Sequence, residues 1–459
     1  MTSLSVALLV PWVAGAVLVP LDGRRRWVAW LAVAALAGTL AALVVLTVRV
    51  ITSGPQQLVT GGWPAGIGIV LRADALGVTF ALVSVVVLIA ATANEAILGP
   101  RARTFPALLV LLAAGLTGLF LTGDVFNFYV FFEIAMTASY ALTAYGGEAR
   151  QLRAALVFAG VNLLGSFIFL MSVAGLYHVT GALAMADVAD RMSAVGANAG
   201  LLIAVGFFVA FSVKLGLFPF HYWLPTVYAG SRPAVAAVLS GAVANIGGYG
   251  LLRFGAGVFS DQLRLASTAL VVLGAASIIY GGVLAASRGD TAEMLAYSAI
   301  GQVGYVLVAL GVGGAVGLAA AVLYSVVNAL NKALLFLAAG LRGRLLAGAF
   351  VLGALSVAGV PPALGYIGKL ELFRTAVVAG SAALVVLLLA GSALSLVYMF
   401  QTYQRNFWRD DGSGKTSSPV ANRLVVAALA LLVLAVGLWP EPLLALSQHA
   451  VEALSGRQG

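Results

Sequence analysis

Residues 199–225 read AGLLIAVGFFVAFSVKLGLFPFHYWLP. The first half of this stretch is apolar enough to lie in lipid, yet Lys214 follows it, and Gly216, Pro219 and Pro225 come soon after. A charge at the bilayer centre costs roughly 2.5–3.5 kcal/mol on insertion scales. Proline removes a backbone donor and clashes with the preceding turn. Irregular backbone at membrane depth is tolerated where protein or water covers it. The stretch therefore predicts a broken transmembrane helix that faces an interior and not lipid.

The combination recurs. Gly359-Val360-Pro361-Pro362 precede Gly365, Gly368 and Lys369, about 150 residues downstream of the first break. Paired broken segments in two halves of a chain point to inverted repeats with a transport site between them. Lys332 and Glu133 also sit inside apolar stretches. Four such charges facing lipid would cost on the order of 10 kcal/mol. A hydrated or paired interior, in which one acid and three amines store and pass protons, is the reading that avoids this cost.

Composition agrees. The chain has 459 residues, 62% hydrophobic and 9% charged, where soluble domains carry about 25% charged residues. No polar stretch is long enough to fold as a separate domain. The sequence contains no cysteine, which excludes disulfides, thiolate metal sites and cysteine nucleophiles. His178, His221 and His449 lack metal-ligand spacing, so neither metal nor cofactor is expected. Residues 1–20 lack a basic leader and a cleavage pattern, and read as a first helix, not as a removed signal.

About 20 apolar residues cross the hydrocarbon core. Runs bounded by Arg, Gly, Pro or Asp predict an all-α polytopic membrane protein with about fourteen spans: 4–20, 27–50, 73–98, 104–122, 124–145, 153–179, 199–220, 234–254, 264–287, 294–311, 314–340, 346–378, 380–403 and 422–446. The expected division is 1–103 for N-terminal helices, 104–254 and 264–403 for two repeats, and 422–459 for a C-terminal helix and tail.

Alternating loops give one side Arg24, Arg25, Arg26, Arg101, Arg103, Arg150, Arg153, Arg232, Arg288, Arg342, Arg344, Arg405, Arg409, Lys415 and Arg423. The other receives Arg49, Arg72, Arg191, Arg253, Arg264 and Arg457. The richer side should be cytoplasmic, which places both termini outside. The net charge of +9 is thus a topology signal, and a nucleic-acid partner is not expected.

Burial disfavours an ammonium and a nearby carboxylate restores it, so Glu133 and the lysines are suited to proton storage and transfer. Snorkelling of the amine to the interface is the bland alternative, stronger for Lys332 and Lys369 than for Lys214. Asn127, Tyr140, Asn162, Ser166, Ser212, Asn245, Tyr249, Ser298, Gln302, Tyr305, Ser325, Asn328 and Asn331 are candidates for a water-lined path. Individually, each reads first as an interhelical hydrogen bond worth under about 1 kcal/mol. Asn328 and Lys332 share a helix face. Gly241, Gly247 and Gly248 beside Asn245 allow close approach of a helix or water. His221 follows the first break and reads equally as a proton relay or as a structural histidine. Glu371 is placed to pair with Arg374. Gly61-Gly62-Trp63-Pro64 reads as a turn with an interfacial tryptophan.

These motifs together resemble a known family. Phe131-Phe132-Glu133, Val213-Lys214 through Phe218-Pro219-Phe220-His221-Tyr222-Trp223-Leu224-Pro225, Leu295-Ala296-Tyr297-Ser298-Ala299-Ile300-Gly301-Gln302, Asn331-Lys332-Ala333-Leu334-Leu335-Phe336, and Gly359-Val360-Pro361-Pro362 to Lys369 resemble the antiporter-like subunits of complex I and of Mrp-type cation/proton antiporters. The resemblance spans roughly residues 60–400. Gly61-Gly62-Trp63-Pro64-Ala65 is most similar to the D-type Mrp subunit. The resemblance implies a proton-translocating subunit of a multi-subunit Na+/H+ antiporter in a bacterial cell membrane, with other membrane subunits as partners and no cofactor. Glu133 and Lys214 would form the charged pair of the first half, Lys332 the central lysine and Lys369 the exit-side lysine. His221, Asn245, Tyr249, Ser298 and Asn328 would support the path. Asn245 stands where the family commonly has lysine or histidine, Asn328 where histidine often precedes the central lysine, and Asp290-Thr291-Ala292-Glu293 lacks the usual basic pair. A proton-pumping subunit of a complex I-like oxidoreductase or membrane hydrogenase is the alternative. As an antiporter subunit the chain is not expected to be an enzyme; under the alternative it would be a subunit of a redox-driven translocase.

Overall fold

A backbone surrounded by lipid must pair its own N–H and C=O groups, and helices do so within one segment. The computed structural model accordingly resolves almost entirely into helices. It describes residues 2–63, 68–339, 343–408 and 420–454. Pro64 and Ala65 of the glycine-tryptophan motif, and Arg342, Arg409, Lys415 and Arg457 of the charge partition, lie outside the described residues.

Among the described residues, eleven helices are long and apolar enough to cross a membrane. Three further expected spans coincide with the shorter apolar helices Ser3–Leu18, Phe105–Phe120 and Arg344–Ala358. The helices Ala75–Leu98, Pro233–Ala256, Thr291–Val312 and Gly314–Ala339 are enclosed almost all round and form the middle of the bundle. Around them, Arg26–Ser53, Ala149–Thr180, Ser267–Ser287, Ala382–Trp408 and Val420–Leu438 expose apolar side chains such as Leu156, Leu163, Val272 and Val386. A helix that is apolar on every side is stable only in a core or in lipid, and here both situations occur.

Both expected breaks are present, and they are built alike. Helix Ala197–Leu215 ends at Gly216 in the left-handed conformation, with its N–H on the Ser212 and Val213 carbonyls. Helix Arg344–Ala358 ends at Gly359 in the same conformation, bonded to Leu355 and Ser356. Glycine is the residue that takes this cap without steric penalty. A proline follows each cap, so neither helix can continue. The chain then restarts as Leu224–Gly230 and as Leu364–Val378. The Phe218-Pro219 and Pro361-Pro362 peptides are both cis.

Three departures from the expected layout have local causes. Residues 56–73 hold a hairpin, β1 Gln56–Val59 antiparallel to β2 Val70–Ala73, with Gln56 opposite Ala73 and Val59 opposite Val70. The Arg72 N–H donates to the Leu121 carbonyl (2.8 Å) and the Gly123 N–H to that of Val70 (2.8 Å), which anchors the hairpin on the bundle. The expected span 422–446 divides at Trp439 and Pro440 into Val420–Leu438 and Glu441–Leu454. The second piece packs on Ala75–Leu98 and Gly314–Ala339. Finally, Pro233–Ala256 contains two π-helical turns, Leu239–Val243 and Leu251–Ala256.

Candidate functional site

All three lysines are enclosed by protein. Lys214 is 5% exposed, Lys332 0% and Lys369 4%, which removes the snorkelling reading for each. Among the described residues no carboxylate lies within 4.0 Å of any of these amines. Hydroxyls, carbonyls and aromatic faces hold them instead.

The Lys214 Nζ donates to the Asn162 carbonyl at 3.1 Å and to Ser166 Oγ at 3.3 Å, and sits 4.2 Å from the centre of the Phe132 ring. A cation over an aromatic face is attracted by the ring quadrupole. Glu133, the residue after Phe132, is half-buried and makes no ion pair with Lys214. Glu133 Oε1, Tyr140 Oη, Asn162 Oδ1 and Ser212 Oγ are buried in this half with no hydrogen-bond partner among the described residues. Each such orphan costs about 1–3 kcal/mol unless water satisfies it. A void beside Lys214, lined by Met136, Asn162, Trp223, Tyr228 and Val243, has room for about one water molecule.

Lys332 stands on the central helix Gly314–Ala339, and its Nζ donates to Ser298 Oγ at 2.7 Å and to the Leu295 carbonyl at 3.4 Å. Ser298 in turn bonds Tyr398 Oη at 2.8 Å, and Tyr398 bonds Ser395 Oγ at 3.2 Å. Gln302 bridges Ser395 (3.3 Å) and Tyr398 (3.2 Å), and accepts from Tyr324. Asn328 Oδ1 and Asn331 Oδ1 are buried on the same helix without protein partners.

In the second broken segment the Lys369 Nζ donates to Ser392 Oγ (2.9 Å) and to the carbonyl of Ala358 (3.3 Å). Ala358 ends the upstream half-helix, where free carbonyls favour a cation. Lys369 also lies 4.9 Å from the Tyr305 ring centre. The Tyr305 hydroxyl is buried and has no hydrogen-bond partner among the described residues. Hydrogen bonds thus run from Lys332 through Ser298 and Tyr398 to Ser395, and separately from Lys369 to Ser392, three residues before Ser395 on the same helix. Glu371 pairs with Arg374 at 3.6 Å, as the sequence indicated.

Between the halves lies Asn245, whose Nδ2 donates to Ser84 Oγ and to the Gly241 carbonyl, both at 3.0 Å. Its neighbours permit the close packing expected of them. A Cβ on Gly247 would meet the Leu215 side chain at 2.6 Å, and one on Gly241 the Ala329 carbonyl at 2.8 Å. This helix is therefore wedged against the Lys214 helix on one flank and the Lys332 helix on the other. Tyr249 lies elsewhere: its hydroxyl donates to the Phe120 carbonyl (3.1 Å) and accepts from Arg253 (3.0 Å). Arg253 forms a bidentate bond to Asp74 at 2.6 and 2.7 Å, with Asp74 fully enclosed and near the hairpin. His221 stacks on Phe218 (5.5 Å) and meets the edge of Tyr280 (4.4 Å), with Nδ1 buried and unpartnered.

Sequence reasoning did not single out Ser392, Ser395 and Tyr398. Their spacing of three residues on an otherwise apolar helix was the available signal.

A profile of the NADH:quinone oxidoreductase/Mrp antiporter transmembrane family matches residues 122–344. The chain is 31% identical to the D-type subunit of the Na(+)/H(+) antiporter of Alkalihalophilus pseudofirmus, covering 97% of this chain and 96% of that protein. It belongs to the NADH:quinone oxidoreductase/Mrp antiporter family. Another member, the N-type subunit of the NADH-quinone oxidoreductase of Desulforudis audaxviator, is 34% identical over 82% of this chain and 80% of its own length. Among solved structures, a chain of the Mrp complex from Dietzia sp. DQ12-45-1b superimposes with a TM-score of 0.91 at 26% identity, over 99% of this chain and 98% of that one. The segment that matches the family profile contains Glu133, Lys214, Asn245 and Lys332, while Lys369 lies beyond it.

Proposed function

We propose that this protein is the proton-translocating subunit of a multi-subunit Mrp-type Na+/H+ antiporter, and that protons move through Glu133, Lys214, Lys332 and Lys369. The observation that carries the reading is the hydrogen-bonded chain from Lys332 through Ser298 and Tyr398 to Ser395, on the helix whose Ser392 holds Lys369. Three amines are enclosed at membrane depth, held by groups that both donate and accept, and none is locked into an ion pair. The orphaned polar atoms of Glu133, Tyr140, Asn162, Ser212, Asn328 and Asn331 extend a wettable route through the first half and toward the centre. Asn245, bonded to Ser84, stands on the helix packed between those of Lys214 and Lys332. The nearly full-length likeness to a D-type antiporter subunit favours exchange with sodium and assembly with other membrane subunits. The shorter match to an NADH-quinone oxidoreductase subunit gives redox-driven pumping less support.

The basic residues support an orientation. Arg24, Arg101 and Arg103 line one recess, Arg232 lies over Tyr145 beside it, and Arg405 donates to the Arg288 carbonyl on the same end. Arg72 and Arg253 gather on Asp74 at the hairpin end. With the richer end cytoplasmic, both termini face outward. The repeats run over 104–254 and 264–403, flanked by 1–103 and 422–459.

Lys214→Ala in the assembled complex should abolish sodium-dependent proton exchange in inverted membrane vesicles at unchanged subunit content. Exchange at the wild-type rate in that variant rejects the role.

A further inference from the structure

The arginine-rich end contains a second feature that proton movement does not use. Arg24, Arg101 and Arg103 line one open recess, together with Thr104, Tyr145 and Gly146. We propose that this recess binds the phosphodiester of an anionic membrane phospholipid.

The three guanidiniums come from two loops held together by the Gly23 N–H bonding the Arg103 carbonyl at 2.9 Å. Like charges gathered this way repel unless an anion sits among them. Among the described residues, no carboxylate ion-pairs with Arg24, Arg101 or Arg103. Two nearby acids offset part of this charge without contacting the guanidiniums. Glu95 accepts from the Tyr145 hydroxyl at 2.8 Å, and Asp22 accepts from the backbone N–H of Arg24 at 3.2 Å. Arg232 lies 5.4 Å from the Tyr145 ring centre and adds charge behind that wall. Arg103 commits one Nη2 bond to the Pro20 carbonyl (3.0 Å), which aims its fork without neutralising it. Guanidinium forks match phosphate oxygens in geometry as well as charge.

The membrane level decides between a lipid and a soluble anion. The helix that follows Arg24 exposes Trp27 (55%) and Trp30 (46%), then Leu31. Tryptophan collects at the boundary between headgroups and hydrocarbon, so the arginines one turn away stand at phosphate depth. Acyl chains attached to that phosphate would run down the apolar face past Trp27 and Trp30. Gly147 leaves the rim open, since a Cβ there would meet nothing within 4 Å. Basic pockets between membrane helices hold acidic headgroups on this principle.

The test uses the full chain purified with its associated subunits in phosphatidylcholine nanodiscs. Brominated phosphatidylglycerol is titrated in while tryptophan fluorescence is read, with brominated phosphatidylcholine as reference. Saturable extra quenching by the glycerol lipid is expected, and the Arg24→Gln, Arg101→Gln, Arg103→Gln triple variant should need at least about tenfold more lipid. Equal quenching by both lipids, or an unchanged titration in the triple variant, overturns the proposal. Millimolar inorganic phosphate should not reverse the quenching; if it competes, the recess takes a soluble phosphate and the lipid assignment falls. Native mass spectrometry of the wild-type assembly needs no variant: a phosphatidylglycerol adduct should outlast phosphatidylcholine during delipidation, and equal loss of both refutes the site.

Discussion

Ser298→Ala is the most informative single perturbation of the proposed path. Its hydroxyl accepts from Lys332 at 2.7 Å and contacts Tyr398 at 2.8 Å, so the change cuts the first two links at one atom. Lys332 would keep only the Leu295 carbonyl at 3.4 Å. A hydrogen bond to a charged group contributes about 1.5–3 kcal/mol, and about 1.4 kcal/mol corresponds to tenfold in rate. Losing that bond where the proton passes should therefore slow exchange about 10- to 150-fold. Inverted vesicles from a host without antiporters of its own, loaded with the assembled complex, give the assay: a proton gradient is imposed and its dissipation by added sodium is followed with a pH-sensitive dye. Ser298→Thr keeps the hydroxyl and should retain most of the rate. If the alanine variant exchanges at the wild-type rate, or if threonine rescues nothing, the hydroxyl does not carry protons and the reasoning fails.

Tyr398→Phe removes the next hydroxyl and should slow exchange comparably. Because both groups lie on one route, the Ser298→Ala, Tyr398→Phe double variant should be no slower than the worse single variant, and additive losses in vesicles would contradict this. Gly359→Ala forces a side chain into a φ of 82° and places Cβ 2.5 Å from Lys369 Cδ; the displaced amine should cost at least about tenfold in exchange, and an unaltered rate refutes it. Asp74→Asn removes the charge that Arg253 grips with two bonds. Breaking a buried pair costs about 3–5 kcal/mol, so the unfolding midpoint of the purified protein should fall clearly, and a midpoint equal to wild type rejects this assignment.

The features legible in the sequence were those whose physics is local. An amine within an apolar run, or a glycine and proline after one, forces burial or a break whatever the neighbours are. Lys214, Lys369 and both interruptions were therefore apparent from the chain. Partners across the bundle were not. That Lys214 rests on Phe132, not on Glu133, depends on how two helices approach, which no spacing along one of them reports. Ser392, Ser395 and Tyr398 were overlooked because serine in a membrane helix ordinarily bonds its own backbone. Tyr249 reads from the sequence as a candidate for the path; that its hydroxyl bonds Arg253 and the Phe120 carbonyl depends on contacts across the bundle. The 56–73 hairpin escaped because four-residue strands leave little periodicity to read.

The two wide turns in Pro233–Ala256 have a further consequence. A backbone bond reaching five residues back, as from the Ala244 N–H to the Leu239 carbonyl, inserts one extra residue into the winding. Everything downstream is then rotated by about 100° relative to an unbroken α-helix. The compass bearing of Asn245 toward Ser84 is therefore set by a count of peptide units upstream of it, not by the asparagine alone. Deleting Ala242 would keep every polar side chain and point Asn245 at a different neighbour.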